Sequence, residues 1–461
     1  MLKQRTKVIN WDKLSWSERL FLLLPVFLFF GFQPHIYFGS YFGMNFDLSI
    51  LQIFLGLFVL VSLPQVWRAR KDLARNRAVW LTALFVVIQA VSLFWALNLV
   101  RATMTLVVIL LLFAVFLSMV SNKKLQKLLP AFLQVLVVAA VGVSVFAWYQ
   151  IVGDALGLPA WATLLPDVYG SGVFGFARPT ALAAEPQFLA SLLVAPILLL
   201  AHSFIKKEDD SKKTAWILLF LVATLVATVS RGAALGLAIG LVALLVVDRK
   251  YVKRCLAAVG IFVLGTFLAL CAVGLAAQVN QRVGANFYGS IRGAVSHYTL
   301  GKVNLPDQTS SLAPAGSQGT EHGYVEESTT SRLSNSDMAL SIWKDDGKNI
   351  ALGVGLGSTG YAYKQYQGYH TDKAIVNNEY LELLLEGGLL SLLAFLAMLA
   401  CLVIYLAKSK QLVWIAILMA FAVQWCFFSG YPNAMHVFVL LGVAYLLASA
   451  KKRSPRALKS T

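Results

Sequence analysis

Apolar runs of about twenty residues recur along the whole chain and constrain its fold more than any other feature. A run of that length lets an α-helix cross the hydrocarbon core of a bilayer. The chain is 58% hydrophobic and only 13% charged, whereas soluble domains carry about 25% charged residues. We therefore predict an all-α polytopic membrane protein with about twelve transmembrane helices, at 17–33, 46–64, 79–96, 102–120, 129–152, 186–205, 214–230, 232–248, 255–277, 380–407, 411–429 and 433–450.

The segments between these runs differ in their content of basic residues. The N-terminus, every second connection and the C-terminal tail hold 28 of the 39 Lys and Arg residues, and the other segments hold 11. Cytoplasmic segments of membrane proteins are enriched in Lys and Arg, so both termini are predicted to be cytoplasmic. The formal net charge of +17 then reflects topology, and nucleic acid is not expected as a partner.

The predicted spans divide the chain into three parts. Residues 1–277 hold the first nine spans, residues 278–377 form a large extracytoplasmic loop, and residues 378–461 hold the last three spans and a cytoplasmic tail. Within the loop, 305–331 is polar and rich in small residues, which indicates a mobile segment. "SRLSNSDMALSIWKDD" predicts a short amphipathic helix, and "GVGLG" at 353–357 is interpreted as turn chemistry, because it follows no strand.

Three arginines lie on the side of the membrane that basic residues otherwise avoid. Arg231 stands between the seventh and eighth spans, Arg178 precedes the sixth span, and Arg332 begins the predicted loop helix. An arginine at a membrane rim is costly unless it is paired, although its side chain can also reach lipid headgroups and a loop arginine can be simply solvated. The alternative is an anion-binding ring, since guanidinium groups bind phosphate and carboxylate in a bidentate manner.

A carboxylate also marks the beginning of the sixth span. Glu185 lies directly before Pro186 in "AAEPQFLASLL". Proline suits the first turn of a helix and a carboxylate complements the helix N-terminus, so the pair can be purely structural. Alternatively, Glu185 is held at the outer membrane surface beside Arg178, where it could act as a general base or bind sugar hydroxyls.

Three carboxylates open the tenth span in "VNNEYLELLLEGG". Glu379, Glu382 and Glu386 are spaced three and four apart, so they share one helix face. Acidic residues are favoured at helix N-termini, and Asn377 or Asn378 is a suitable N-cap, so helix capping explains much of this acidity. No pattern with metal-ligand spacing accompanies these residues, and neither a metal nor another cofactor is predicted.

Four features occur in a fixed order between about residues 214 and 407. They are "SRGAALGLAIGL" after a span, a large loop, "RLSNSDMALSIWKDDGKNIALGVGLG" within it, and "NNEYLELLLEGGLLSLLAFL" at the next span. Together they resemble the O-antigen ligase and polymerase family. The resemblance implies a membrane glycosyltransferase of the GT-C type in the bacterial cytoplasmic (inner) membrane. It further implies a glycan donor on undecaprenyl diphosphate at the outer leaflet and no divalent metal.

The resemblance also assigns roles to the cationic residues. The family arginine that follows the span corresponds to Arg231, and the family loop arginine corresponds to Arg332. Both are expected to bind the diphosphate and to offset its growing charge in the transition state. Arg178 is the third candidate for the same role.

One departure from the family pattern shifts the expected chemistry. Family ligases carry a histidine where this chain has Asn377. Asparagine can hydrogen-bond a sugar or phosphate but cannot take a proton at neutral pH. A base is therefore expected at Glu185 or Glu379, and Asn377 remains in the catalytic set as a hydrogen-bonding residue.

The departure at Asn377 favours a polysaccharide polymerase. The segment "EPQF" also resembles a motif of exopolysaccharide polymerases. The first alternative is a ligase that moves the glycan to lipid A-core or another acceptor, and a flippase for the same lipid is a third. The expected partners are the lipid-linked donor and acceptor, the bilayer and a chain-length regulator protein.

Overall fold

The computed structural model describes residues 10–41, 44–208, 211–247, 249–280, 286–299, 302–303, 317–367 and 374–450. This part of the chain is mostly helical, as predicted. Its helices are α1 (Trp16–Phe27), α2 (Ile50–Leu73), α3 (Arg77–Val91), α4 (Leu99–Ser121), α5 (Leu125–Ala155), α6 (Ala160–Thr163), α7 (Pro186–Lys206), α8 (Ser211–Ala227), α9 (Arg231–Val247), α10 (Val252–Val279), α11 (Phe287–Tyr298), α12 (Ser317–Asp345), α13 (Gly347–Leu352), α14 (Thr359–Gln367), α15 (Glu379–Lys408), α16 (Leu412–Gln424) and α17 (Met435–Ala450).

Seven helical segments in the described residues are long and apolar enough to cross a membrane. They are α2, α3 with the turn that follows it, α4, α5, α7, α10 and α15. The helices α9, α16 and α17 are apolar but shorter. Each of the twelve intervals predicted as spans contains a helix, so a mostly helical membrane protein is confirmed, while the count of twelve spans stays a prediction.

Helix α2 shows how local chemistry displaces a boundary that hydropathy predicts. The predicted span is 46–64, whereas the helix runs from Ile50 to Leu73. Its start is set by a capping box, in which Ser49 N–H donates to Gln52 Oε1 at 2.8 Å and Gln52 N–H donates to Ser49 Oγ at 3.2 Å. Its last turn is basic, which the helix dipole favours. Hydropathy therefore detects the apolar part of the helix and not its ends.

A two-stranded antiparallel sheet precedes α2, and the all-α prediction misses it. Strand β1 (His35–Tyr41) pairs with β2 (Met44–Ser49), with His35 opposite Ser49 and Tyr37 opposite Asp47. Strands this short leave little periodic signal, and the predicted second span covers most of β2. The sheet is a small addition to a helical fold.

The chain divides into two compact units. The first contains the described residues of Gln134–Ser331 and Met419–Gln424, and the second contains those of Arg5–Leu133, Arg332–Leu418 and Trp425–Thr461. In the first unit, α7 packs against α8 and α9, and most of its residues are buried. The loop before α7 contributes to a core cluster of Ile151, Phe174, Phe176, Ala227, Val229, Val273, Ala277 and Ala294.

In the second unit, the loop helices pack onto the beginning of α15. The short amphipathic helix predicted after residue 331 is the last part of α12, which already begins at Ser317. The predicted mobile segment is therefore helical from that residue, and its part at 305–316 lies outside the described residues. The apolar face expected of this helix comprised Leu333, Met338, Ala339, Ile342 and Trp343; Met338, Ala339 and Ile342 are buried, Trp343 is half-buried, and Leu333 is 62% exposed, so the prediction is wrong for Leu333. The buried cluster is Met338, Ala339, Ile342, Val354, Ala362, Tyr363, Val376 and Leu385.

Candidate functional site

Arg231 follows a tight turn between α8 and α9. It is the first residue of α9, and the three turn residues Thr228, Val229 and Ser230 are all buried. Val229 has a φ of +53°, a region that β-branched residues rarely occupy. The first helical bond of α9 runs from Ala234 N–H to Ser230 O at 3.0 Å. Arg231 thus stands in the first turn of α9, where the helix dipole also favours an anion.

Arg178 reaches the same turn from the loop before α7. Its Nε donates to Thr228 O at 3.1 Å, at the carboxyl end of α8, where the helix dipole favours a cation. The guanidinium carbon lies 5.9 Å from the ring centroids of both Tyr169 and Phe174, which is within cation–π range. The first unit therefore places two of the three predicted arginines, Arg178 and Arg231, at one turn.

Gln150 of α5 anchors the loop that carries Arg178. Its side chain is fully buried, and its amide makes four hydrogen bonds to loop backbone. Nε2 donates to Thr163 O at 3.1 Å and to Ala181 O at 3.2 Å. Oε1 accepts from Thr180 N–H at 3.0 Å and from Ala181 N–H at 2.7 Å. One glutamine therefore fixes two distant points of the loop on an apolar helix.

Glu185 occupies the N-cap position of α7 but makes no capping hydrogen bond with its side chain. Its Oε2 instead accepts a hydrogen bond from Gln187 Nε2. The structural interpretation of Glu185 therefore rests on the helix dipole and not on capping. Glu185 belongs to the same unit as Arg178 and Arg231, and its role as a base stays a prediction.

Glu379 fastens the beginning of α15 to the turn before α17. Its Oε2 accepts from Gly430 N–H at 2.6 Å and from Tyr431 N–H at 2.8 Å. Its own N–H donates to Trp425 O at 2.8 Å, and the residue is 1% exposed. A buried carboxylate with two amide donors is typical of a structural fastening. The catalytic assignment of Glu379 stays a prediction.

Glu386 binds the beginning of a different helix. Its Oε2 accepts from Gly357 N–H at 2.8 Å, and its Oε1 accepts from Thr359 N–H at 3.2 Å and from Thr359 Oγ1 at 2.9 Å. Thr359 is the first residue of α14, so the carboxylate satisfies amides that a helix start leaves without partners. Glu386 is therefore the cap of α14, not of the helix to which it belongs.

Helix α15 is broken at Gly388, which has a φ of +63°. A break deprives the preceding carbonyls of intrahelical donors. The glycine segment supplies replacements, since Val354 N–H donates to Leu385 O and Gly355 N–H donates to Glu386 O, both at 2.9 Å. The interpretation of this segment as turn chemistry is confirmed by its positive φ values, which are +71° at Gly353, +102° at Gly355 and +66° at Gly357.

Replacing Gly388 by Ala is expected to destabilise the protein by about 3 kcal/mol or more. A Cβ there would lie 2.3 Å from the carbonyl carbon and oxygen of Ala351, and the left-handed backbone disfavours a side chain. Thermal unfolding in detergent measures the effect. Gly56→Ala in α2 is the control, because a Cβ at Gly56 meets nothing within 4 Å and alanine is the better helix former by about 1 kcal/mol. Equal melting temperatures for the two variants would contradict the expectation.

The two asparagines before α15 have different roles. Asn378 is the N-cap, because its Oδ1 accepts from Tyr380 N–H at 3.1 Å and from Leu381 N–H at 3.2 Å. Asn377 has a φ of +60°, a region in which asparagine and histidine are enriched among non-glycine residues. The backbone at position 377 therefore suits either the asparagine of this chain or the histidine expected from the family pattern.

Arg101 is a charged residue beside this region that motif reasoning misses. Its N–H donates to Asn98 Oδ1 at 2.9 Å, at the start of α4. A Cβ on Gly357 would lie 3.3 Å from Arg101 Cγ, and the guanidinium interacts electrostatically with Glu382 and Glu386. In the sequence, Arg101 is a single arginine in a short connection between two apolar runs. It contributes to the distribution of basic residues but belongs to no motif.

Arg332 lies half-buried on α12, where its carbonyl accepts the Ser336 hydroxyl at 2.8 Å. The two arginines that the resemblance assigns to the diphosphate thus belong to different units. Each unit holds three of the predicted site residues: Arg178, Glu185 and Arg231 in the first, and Arg332, Asn377 and Glu379 in the second.

An apolar cavity of about 80 Å³ lies within the second unit between α3, α4, α15 and α17. Its lining contains no charged residue, and Tyr431, whose N–H binds Glu379, forms part of the wall. Two polar side chains of the lining are already bonded, since Thr82 Oγ1 donates to Ala78 O and Tyr445 Oη bonds Asn76 Oδ1. The cavity suits hydrocarbon better than sugar.

The long apolar helices define a mostly helical membrane protein, and Arg231 and the carboxylates of α15 lie in the first turns of their helices. Residues 216–396 match the family model described as O-antigen ligase. The resemblance to the O-antigen ligase family is thereby confirmed over a segment that covers less than half of the chain. Comparison with curated proteins finds no match. The matched segment contains Arg231, Arg332 and the carboxylates of α15, and it excludes Arg101, Arg178 and Glu185.

Proposed function

We propose that this chain is a polysaccharide polymerase of the O-antigen or exopolysaccharide kind. It transfers a growing glycan from undecaprenyl diphosphate to a lipid-linked repeat unit at the outer leaflet of the bacterial cytoplasmic membrane. The observation that carries the proposal is the family match over the segment that holds Arg231, Arg332 and Asn377. A GT-C arrangement of about twelve spans, with both termini cytoplasmic, is part of the same proposal.

The proposed reaction is a single displacement at the anomeric carbon of the donor glycan. A hydroxyl oxygen of the acceptor forms the new bond, the bond to the diphosphate breaks, and undecaprenyl diphosphate leaves with the electron pair. Arg231 and Arg332 offset the charge that grows on the diphosphate. Glu185 or Glu379 takes the hydroxyl proton, and Asn377 holds a sugar or phosphate oxygen.

The local geometry supports separate parts of this assignment. Arg231 stands in the first turn of α9, where an anion is favoured by charge and by dipole. Glu185 makes no capping bond, whereas both bonded amides of Glu379 belong to the backbone of another segment. The bonds of Glu379 are thus typical of a structural carboxylate, and Glu185 is the first of the two candidate bases.

A ligase that transfers the glycan to lipid A-core or another acceptor is the second candidate. The matching family is described as O-antigen ligase, which favours this candidate. The absence of the family histidine at Asn377 favours the polymerase instead. A flippase is the weakest candidate, because ionisable groups would then be expected in the middle of spans, while the carboxylates of α15 lie in its first turns.

A reconstituted assay separates these functions. The purified chain in liposomes is given the lipid-linked repeat unit alone, and products are resolved by length. Extension identifies a polymerase, and transfer that requires a second acceptor identifies a ligase. Folded protein that transfers nothing in either mixture contradicts both. An added chain-length regulator protein should alter the length distribution without being required for extension.

The transfer is expected to survive removal of divalent cations. Arginines, rather than a metal ion, carry the positive charge that the leaving diphosphate requires in this proposal. The initial rate in excess EDTA should therefore stay within about twofold of the untreated rate, since no bound Lewis acid is lost. A rate that collapses in EDTA and returns with Mg²⁺ or Mn²⁺ would overturn the metal-free mechanism.

A further inference from the structure

The turn before Arg231 adopts a conformation that its sequence disfavours. Val229 is β-branched and has a φ of +53°, where its Cβ crowds the backbone. Such a residue persists only when its surroundings hold it in place. Relaxation of Val229 to a negative φ would change the direction in which α9 begins. The position of Arg231 therefore depends on whatever holds the turn.

Two side chains from other elements hold this turn by its carbonyls. The Tyr298 hydroxyl, at the end of α11, donates to Val226 O at 2.8 Å, and Arg178 Nε donates to Thr228 O at 3.1 Å. Val229 N–H also donates to Val226 O, at 3.0 Å. Arg178 thus satisfies a carbonyl at the helix end that lacks an intrahelical donor, while Tyr298 adds a second hydrogen bond to a carbonyl that Val229 N–H already engages.

Tyr298 is partly buried and packs against the core beside the turn. Its ring packs against the cluster that contains Val229 and Phe174. Burial raises the pKa of the Tyr298 phenol well above its ordinary value, and the nearby Arg178 charge opposes this shift to a smaller extent. The phenol therefore keeps its proton, and it remains a hydrogen-bond donor throughout the neutral range.

We propose that Tyr298 and Arg178 are positioning residues that hold the Val229 turn and thereby aim Arg231 at its anionic substrate. This inference rests on the proposed role of Arg231 in binding the diphosphate. Arg178 carries a positive charge of its own, so its loss would mix two effects. Tyr298 isolates the positioning effect, because Tyr298→Phe removes one hydroxyl and preserves the ring.

The first measurement is the transfer rate of Tyr298→Phe in the reconstituted assay. We expect kcat/KM for the lipid-linked donor to fall about tenfold, the effect of one lost buried hydrogen bond expressed through Arg231. The protein should stay folded at normal abundance, with a melting temperature lowered only by the small amount that one lost buried hydrogen bond explains. Tyr288→Phe, ten positions earlier on the same helix, is the control and should keep the transfer rate. Hydrogen exchange of the amides at 228–234 should become faster in Tyr298→Phe alone.

The second measurement distinguishes positioning from packing. Val229→Gly allows the left-handed turn without side-chain strain. The hydrogen bonds from Tyr298 and Arg178 are then less necessary to keep the turn in this conformation. In that background, Tyr298→Phe should lower kcat/KM by less than about threefold, a coupling that a double-mutant cycle detects. A purely structural role for Tyr298 predicts the same loss in both backgrounds.

The outcomes separate this inference from the proposed function. Two results overturn the positioning role. In the first, Tyr298→Phe has the same kcat/KM as the unsubstituted protein. In the second, Tyr298→Phe lowers kcat/KM by the same factor in the unsubstituted and the Val229→Gly backgrounds. If Arg231→Ala also abolishes transfer in that case, the proposed function stands without it. If Arg231→Ala retains transfer, the role of Arg231 fails, and the positioning role falls with it even where hydrogen exchange shows that the turn is clamped.

Discussion

Arg231→Ala is expected to abolish long-chain glycan while the protein remains in the membrane. Loss of one charged donor to a developing anion should lower the transfer rate by about two to three orders of magnitude. Arg332→Ala is expected to lower the transfer rate by the same amount for the same reason. Gel analysis of glycan chain length reports the effect in cells, and initial rates report it in the reconstituted assay. A normal ladder from either variant would remove that arginine from the mechanism.

Each arginine has a matched control in its own part of the chain. Arg254 belongs to the first unit, and its Nη1 donates to Phe204 O at 2.9 Å. It follows the far end of α9, whose 17 residues are about 25 Å long. Lys344 is exposed on α12, about 18 Å along the helix from Arg332. Arg254→Ala and Lys344→Ala should both retain normal glycan ladders. Arg254 is distant from Arg231, and Lys344 is distant from Arg332.

Glu185→Gln is expected to lower the transfer rate by about two to four orders of magnitude, the usual contribution of a general base. The amide preserves the size and the polarity of the carboxylate but cannot accept a proton. Initial rates over a range of pH should show that the acidic limb of the profile is lost. Glu185→Asp should keep part of the activity, because it retains a carboxylate.

The carboxylates of α15 provide the comparison. Glu382→Gln should change the rate by less than about threefold, because no step of the reaction is assigned to it. Glu379→Gln weakens two bonds to backbone amides, so it should lower the melting temperature as well as the rate. A large rate loss in Glu379→Gln at an unchanged melting temperature, together with a mild Glu185→Gln, would move the base to Glu379.

Much of the helical architecture could be predicted from sequence because burial and capping act locally. Each of the twelve apolar runs contains a helix of the structure. The spacing of Met338, Ala339 and Ile342 identified the buried face of α12. Gly388 shows where this reasoning stops. A glycine within an apolar run is compatible with a continuous helix, and the break becomes visible only through Ala351, which lies 37 positions earlier in the chain.

The candidate site was predictable in composition but not in contacts. Regular spacing correctly placed Glu379 and Glu386 in one short helical segment, yet they bind different partners, Gly430 and Thr359. The partner of a carboxylate is set by tertiary packing, which helical periodicity does not encode. The same limit applies to Tyr298, whose acceptor lies 72 positions away at Val226 and leaves no local sequence pattern.

The break at Gly388 and the glycine segment at 353–357 depend on each other. If α15 became regular, Leu385 O and Glu386 O would return to intrahelical bonds, and the N–H groups of Val354 and Gly355 would lose their acceptors. If the glycine segment became an ordinary helix, the broken end of α15 would keep two carbonyls without donors. Neither irregularity can therefore be removed alone without leaving backbone groups unbonded, so a substitution that regularises one segment requires a compensating change in the other.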